Sequence, residues 1–247
     1  KEIIKVQKLF GKIYNAGTEF ELDGSQFDKL LSDNDEYKLG NIASRTIATP
    51  GHTPACMAHL IGDAVFVGDT LFMPDGGTAR ADFPGGSAEQ LYKSIQRILA
   101  LPDKTRLFVC HDYMPNNRDP AWETTVLDQK NNNIHIGNNV SEQNFVKLRT
   151  ERDKTLPAPE LMIPSIQVNM RAGNLPPEEN NGTTYLKVPI KNIGNWNNNK
   201  ITLNNNLVYS VQKIDIVVVL CQFKIKMINI FYTKWENSHG FKKKIKA

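Results

Sequence analysis

The sequence predicts an α/β domain. Short apolar runs bounded by Gly, Asn and Asp turns fill residues 36–67 and read as strands. A capped amphipathic helix follows over 87–101, and an apolar run over 106–110 returns as a buried strand. Hydrophobic residues make up 40% of the 247, enough for a sizeable core in one large domain or one domain with an appendage.

In chain order, Lys1–Phe10 reads as the end of a helix, with Ile3, Val6 and Phe10 on one face. Gly11–Asp23 is rich in turns. Glu36–Leu39 and Ile42–Ala48 read as strands around Gly40–Asn41, and Met57–Ile61 and Ala64–Val67 as a hairpin turned by Gly62–Asp63. The long loop Gly68–Gly86 holds four further glycines, and loops of this length in compact domains are usually functional or disordered. Ser87 stands as the N-cap of the helix to Leu101, with Gln90 at the capping-box position and Leu91, Ile95, Ile98 and Leu99 as its stripe. Arg106–Cys110 is the buried strand. Ala121–Lys130 and Glu142–Asp153 read as helices, the second capped by Ser141. Leu156–Met170, with three prolines, reads as an irregular finish with room for one short helix. Tyr185–Pro189 reads as a last strand.

Charge separates the tail from the body. Residues 195–247 hold nine lysines against Asp215 and Glu236, a net of +7, which leaves −3 for the first 194 residues. The basic excess is therefore all tail, with no ordered basic face, and no nucleic-acid partner is expected. The tail is dominated by Asn, Lys and Ile and is expected to be disordered or mistranslated, giving domains 1–190 and 191–247. Its most apolar run, Ile216–Phe223, is eight residues long where about 20 are needed to span a membrane, so no membrane partner is expected. Cys56, Cys110 and Cys221 form neither a CxxC pair nor an even framework, which argues against a disulfide scaffold and for a reducing compartment.

Chemistry concentrates at three strand ends. One strand runs out at Thr49-Pro50-Gly51-His52-Thr53, the next at Gly68-Asp69-Thr70, the third at His111-Asp112-Tyr113. Strands whose ends converge would place imidazole, carboxylate and imidazole around one point, a donor set that suits zinc or non-haem iron. Each pattern alone has a plainer reading: a loop histidine, a common Asp turn, a buried hydrogen-bonded pair. His59 and His135 lack the glycine-flanked setting and read as structural. His239 lies in the tail. Cys56 and Cys110 read as small core residues, with no adjacent base or cation.

The motifs TPGHT, GDTLF and CHDY, in that order, resemble the metallo-β-lactamase superfamily. The stretches TPGHTPACM, GDTLFMPDGGTARADFPGG, LYKSIQRILALP, FVCHDY and LPAPELMIPSIQVNMRAG are similar to its persulfide dioxygenases of the ETHE type, and most of all to its bacterial β-lactamase-hydrolase-like branch. The resemblance covers about residues 1–190 and implies an αββα sandwich with the metal at one edge. It implies one Fe(II) with His52 and Asp69 as ligands, His111 close by at an empty second-metal position, Arg80 and Tyr113 on the substrate, and Asp82 orienting its neighbours. Arg80 also reads as a solvated loop charge, and Tyr113 as a core edge. The substrates implied are glutathione persulfide and O2, with sulfite as product, in a possible homodimer of the cytoplasm or mitochondrion. The family's His-x-His-x-Asp-His signature, which supplies the third iron ligand, has no counterpart before His52. The sandwich is therefore expected to be incomplete, its N-terminal strands and first metal motif missing. Gly76 departs from the aromatic residue expected in the bacterial branch. Two other functions stay open: a glyoxalase II-like thioester hydrolase with two zinc ions, in which His111 is a true ligand, and an inactive fragment that is no enzyme.

Overall fold

The computed structural model describes residues 1–16, 21–157, 159 and 161–189. The tail expected over 191–247, with His239 and Cys221, lies outside the described residues, as does part of the turn-rich stretch 11–23. Strands β1 (Glu36–Leu39), β2 (Ile42–Ala48), β3 (Met57–Ile61), β4 (Ala64–Phe66), β5 (Arg106–Phe108) and β6 (Glu123–Thr125) form one sheet in chain order. All neighbours are antiparallel except β4 and β5, which run parallel. A parallel pair needs a crossover, and helix α2 (Ala88–Leu99) supplies it.

This topology positions the site. β2 and β4 both run antiparallel to β3, so they point the same way, and β5 is parallel to β4. The C-terminal ends of β2, β4 and β5 therefore lie on one edge of the sheet. Those are the ends that carry His52, Asp69 and His111. Ligand sites in sheets with parallel strands commonly sit outside such ends.

The core forms on the face covered by α2, α3 (Val126–Asn132) and α4 (Glu142–Asp153). Val65 and Leu107 from the sheet meet Leu91, Ile95 and Ile98 from α2 and Phe145 from α4, all fully buried. Each such side chain contributes about 1.5–3 kcal/mol of transfer free energy. Ser87 caps α2 by accepting from the Gln90 N–H, while its hydroxyl donates to Glu89 (2.8 Å). Ser141 caps α4 in the same way. A second cluster joins the chain's beginning to residues near 170. Helix α1 (Ile3–Ile13) packs Phe10 and Tyr14 against Met170, next to Ile163 and Ile166 of α5 (Met162–Asn169). Among the described residues no helix is long and apolar enough to cross a membrane.

Three expectations are corrected. The first helix runs on to Ile13, because Gly11 can pack closely on Leu22 there. Ala121–Lys130 is not one helix. Glu123–Thr125 pairs with β5 as an edge strand, and α3 starts only at Val126, where Thr125 accepts from the Asp128 N–H. The β-branched pair Thr124–Thr125 favours this outcome. The finish after Leu156 does hold one short helix, α5, as there was room for, with Pro164 in its first turn, where the missing N–H costs nothing. Tyr185–Pro189 is not a strand: the Gln167 amide holds the Lys187 backbone instead, accepting its N–H (2.8 Å) and donating to its carbonyl (2.9 Å).

Candidate metal centre

The His52 turn is fixed to the start of α2. Gly51 has φ 141°, and a Cβ there would lie 2.3 Å from the Leu91 backbone, so only glycine lets the turn approach the helix this closely. Its carbonyl accepts from the Ser87 N–H (2.9 Å), and the Ser94 hydroxyl donates to the Pro50 carbonyl (2.6 Å). His52 Nδ1 lies 2.7 Å from the Arg80 carbonyl, so it must be the protonated nitrogen. That leaves Nε2 with its lone pair, facing Asp69 Oδ2 at 3.7 Å. A backbone carbonyl fixing the tautomer in this way is common behind metal-binding histidines. The ring sits edge-on to Phe83 with its side chain only 12% exposed.

Asp69 follows Gly68 (φ 55°) in a single 3-10 turn and is buried. Its second oxygen serves the other side. Oδ1 lies 3.2 Å from His111 Nε2 and accepts the Cys110 thiol at 2.9 Å. One carboxylate thus stands between two imidazoles. His111 is 30% exposed, more open than His52. Burial, with the Asp69 charge behind it, pushes the Cys110 thiol well above its ordinary range.

The expected substrate residues lie beside this centre. Tyr113 is 68% exposed, packs edge-on to Phe72 and stacks near His111. Burial, and then Asp69, raise its hydroxyl above the usual range, so it holds its proton. Arg80 is hydrogen-bonded within the protein. Its Nε and one Nη form a fork on Asp82 (2.6 and 2.7 Å), and its other Nη donates to the Pro157 carbonyl (2.7 Å). The guanidinium thus joins Asp82 to the segment at Pro157. Asp82 raises its pKa. Arg80 serves the centre through its carbonyl on His52. Gly76 lies in the turn after Phe72, its N–H on the Met73 carbonyl (2.7 Å).

Two ionic braces escaped the sequence reading. Arg149 and Asp153, one helical turn apart on α4, form a buried ion pair. Asp153 accepts from the Ala81 N–H (2.8 Å), and Arg149 donates to the Thr78 carbonyl (3.2 Å). His135 Nδ1 accepts from the Thr78 N–H (2.9 Å), and burial together with Arg149 pulls its pKa down to about 4. These groups hold the 78–81 segment, and with it the carbonyl that orients His52. The spacing Arg-x-x-x-Asp on a helix was the available signal. The other brace is Arg118, which forks onto both Asp75 and Asp112. It holds both carboxyls below their usual range and ties the His111 loop to the 73–77 turn. Residues 116 and 117 take left-handed conformations to bring Arg118 back, which asparagine tolerates.

Residues 27–111 match the model of the metallo-β-lactamase superfamily. A Burkholderia pseudomallei protein named "Probable metallo-hydrolase" is 53% identical over 77% of this chain and 68% of its own length. The chain belongs to the metallo-β-lactamase superfamily. Glyoxylase B2 of Dictyostelium discoideum is 54% identical over 75% of this chain and 64% of its own. The mitochondrial persulfide dioxygenase ETHE1 of Bos taurus is 33% identical over 62% and 57%. Among solved structures, ETHE1 from Myxococcus xanthus superposes with a TM-score of 0.52 at 32% identity, over 58% of this chain and 60% of that one. The chain thus spans between 57% and 68% of the three relatives named.

Membership of the superfamily implies a metal, and the donors here fit one. His111 Nε2 stands against Asp69 Oδ1 and His52 Nε2 against Oδ2, on opposite sides of the carboxylate; among the described residues the donors within 4.8 Å of one another are those of Asp69, Cys110 and His111, and His52 stands outside that group.

Proposed function

We propose that this site is a mononuclear iron centre that oxidises the terminal sulfur of glutathione persulfide to sulfite. The observation that carries the reading is the donor set: two imidazoles on opposite oxygens of one carboxylate. Two histidines and one carboxylate with open positions suit non-haem Fe(II) in oxygen chemistry. The ETHE1 relatives and the persulfide dioxygenase motifs support the same choice. His52 and Asp69 would hold the ion, with His111 as the third donor within this chain. When bound, iron would supply a place where sulfur and O2 lie side by side, so that proximity lowers the barrier.

The residues of the chain do the rest. Gly51, the Arg80 carbonyl and Phe83 keep His52 in one orientation. Phe72 and Tyr113 offer an aromatic wall on the open His111 side, where a sulfur substrate has room to approach. In the overall reaction the persulfide, one O2 and one water give the thiol and sulfurous acid. Four electrons pass from sulfur to O2, and no other oxidant is needed.

A second reading has its own support. A carboxylate placed between two histidines also suits two metal ions and hydrolysis of a glutathione thioester, and the glyoxylase B2 likeness favours it. One pair of assays separates the two, using the full chain loaded with Fe(II) under anaerobic conditions. The dioxygenase reading expects O2 uptake that depends on glutathione persulfide, with sulfite formed in proportion. Loss of the lactoylglutathione thioester without O2 uptake would replace it with the hydrolase, and neither activity would contradict both.

A further inference from the structure

We propose that the cavity between the end of α1, α5 and the turn at residues 178–184 is a binding site for a small α-amino acid. Its carboxylate lies against Tyr14, Arg171 and Lys187, and its ammonium against Glu178 and Glu179. The inference is independent of the metal centre, which shares none of these residues.

The cavity has a volume of about 170 Å³. At about 30 Å³ per water in the liquid, that is space for about six waters, or for a molecule of similar size. Drug-sized ligands occupy pockets of about 300–1,000 Å³, so a molecule as large as glutathione is excluded. Three donors gather at the junction of α1 and α5. Tyr14 is 5% exposed, and its hydroxyl forms no hydrogen bond among the described residues. Its ring packs with Phe10 and Met170 while the residue lines the cavity. Burial raises the hydroxyl to about 12, so it keeps its proton and donates. Arg171, just past α5 and buried, donates through Nη1 to the Gln167 carbonyl (2.6 Å). Lys187 is tied to the same glutamine through its backbone, and its Nζ donates to the Asn15 carbonyl (3.0 Å), next in sequence to Tyr14.

The turn supplies the opposite charge. Glu178 bridges Thr184, and the Glu179 N–H donates to the Thr183 carbonyl (3.0 Å), so both glutamates are held by backbone. Their carboxylates form no ion pair among the described residues. Two cations and two carboxylates thus line one small space. A phosphate or a simple carboxylate would meet as much repulsion as attraction there. A ligand with one charge of each sign matches both sets, and hydrogen bonds to its charged ends are the strong kind. A small α-amino acid carries both charges within the size allowed.

The test is equilibrium dialysis of the full chain against radiolabelled L-serine, in EDTA so that no bound metal can chelate the amino acid. Acetate and ethylammonium, which carry one charge each, serve as competitors. The expected result is saturation at about one serine per chain with a Kd below about 1 mM, displaced by L-alanine but not by either competitor at the same concentration. Tyr14→Phe keeps the ring, removes only the hydroxyl and should weaken binding about tenfold. Glu179→Gln removes one carboxylate from an exposed turn and should also weaken it about tenfold. Far-ultraviolet circular dichroism on both variants separates loss of a contact from loss of the fold. No saturable serine binding, or serine binding that is unchanged in both folded variants, would overturn the site. Displacement by acetate alone would overturn the amino-acid ligand in favour of a simple anion.

Discussion

The two histidines of the site are held in opposite ways. His52 is nearly buried, its Nδ1 committed to a carbonyl, its turn pressed on α2, and the segment behind it fixed by the buried Arg149–Asp153 pair. His111 is more open, and its loop is held by one surface arginine, Arg118, between two aspartates. Low-dielectric surroundings and packing make the first side rigid, whereas the second rests on ion pairs that water and salt weaken. One side is thus held rigidly, and the other has room to adjust.

Breaking the rigid side should cost most. Asp153→Ala leaves Arg149 buried without its carboxylate and the Ala81 N–H without its acceptor. A loss of about 3–5 kcal/mol is expected, read from the denaturant midpoint. Gly51→Ala comes next, because its Cβ has no space against Leu91 and φ 141° is costly for alanine. About 2–4 kcal/mol should be lost in the same assay, together with metal retention. Acid offers a third probe. His59 and His135 both have pKa values lowered by burial to about 4. Between that value and the unfolded pKa of about 6.5 the unfolded chain binds more protons, so stability must fall as pH falls through this window. Each histidine contributes a slope of up to about 1.4 kcal/mol per pH unit, measured as the urea midpoint against pH.

The open side should respond through binding rather than stability. Arg118→Gln releases the loop that carries His111 and should weaken metal binding by about tenfold, read by competition with a chelator. Thermal unfolding should barely change. The smallest effect belongs to Tyr113→Phe. With the ring 68% exposed, stability should stay within about 0.5 kcal/mol, while the KM for the proposed persulfide substrate should rise. A large stability loss from Arg118→Gln, or a negligible one from Asp153→Ala, would reverse the contrast.

What the sequence revealed, and what it hid, follows from the range of each interaction. β1, β2 and β3 lie within their expected bounds, and so does the α2 stripe, because alternation, turns and caps are local signals. His52, Asp69 and His111 were visible as residues just past strand ends, the first two directly after a glycine. The sheet order supplied what spacing alone could not: that β2, β4 and β5 point the same way. β6 was hidden because three residues carry too little period to outweigh the helix that follows. The partners of Arg80 and Arg118 were hidden as well. A charge in a loop looks the same in sequence whether it faces solvent, substrate or another loop. Cys110 was read as a small core residue for want of an adjacent base or cation, and only the fold places its sulfur on Asp69.

The most direct test is retention of a divalent metal by the chain and by Asp69→Ala. Both are loaded with Fe(II) under anaerobic conditions, desalted and measured by elemental analysis. If Asp69 joins the two histidines around one ion, the chain keeps about one iron and the variant keeps almost none. Equal iron in the two proteins, or none in the unaltered chain, would contradict the centre described here.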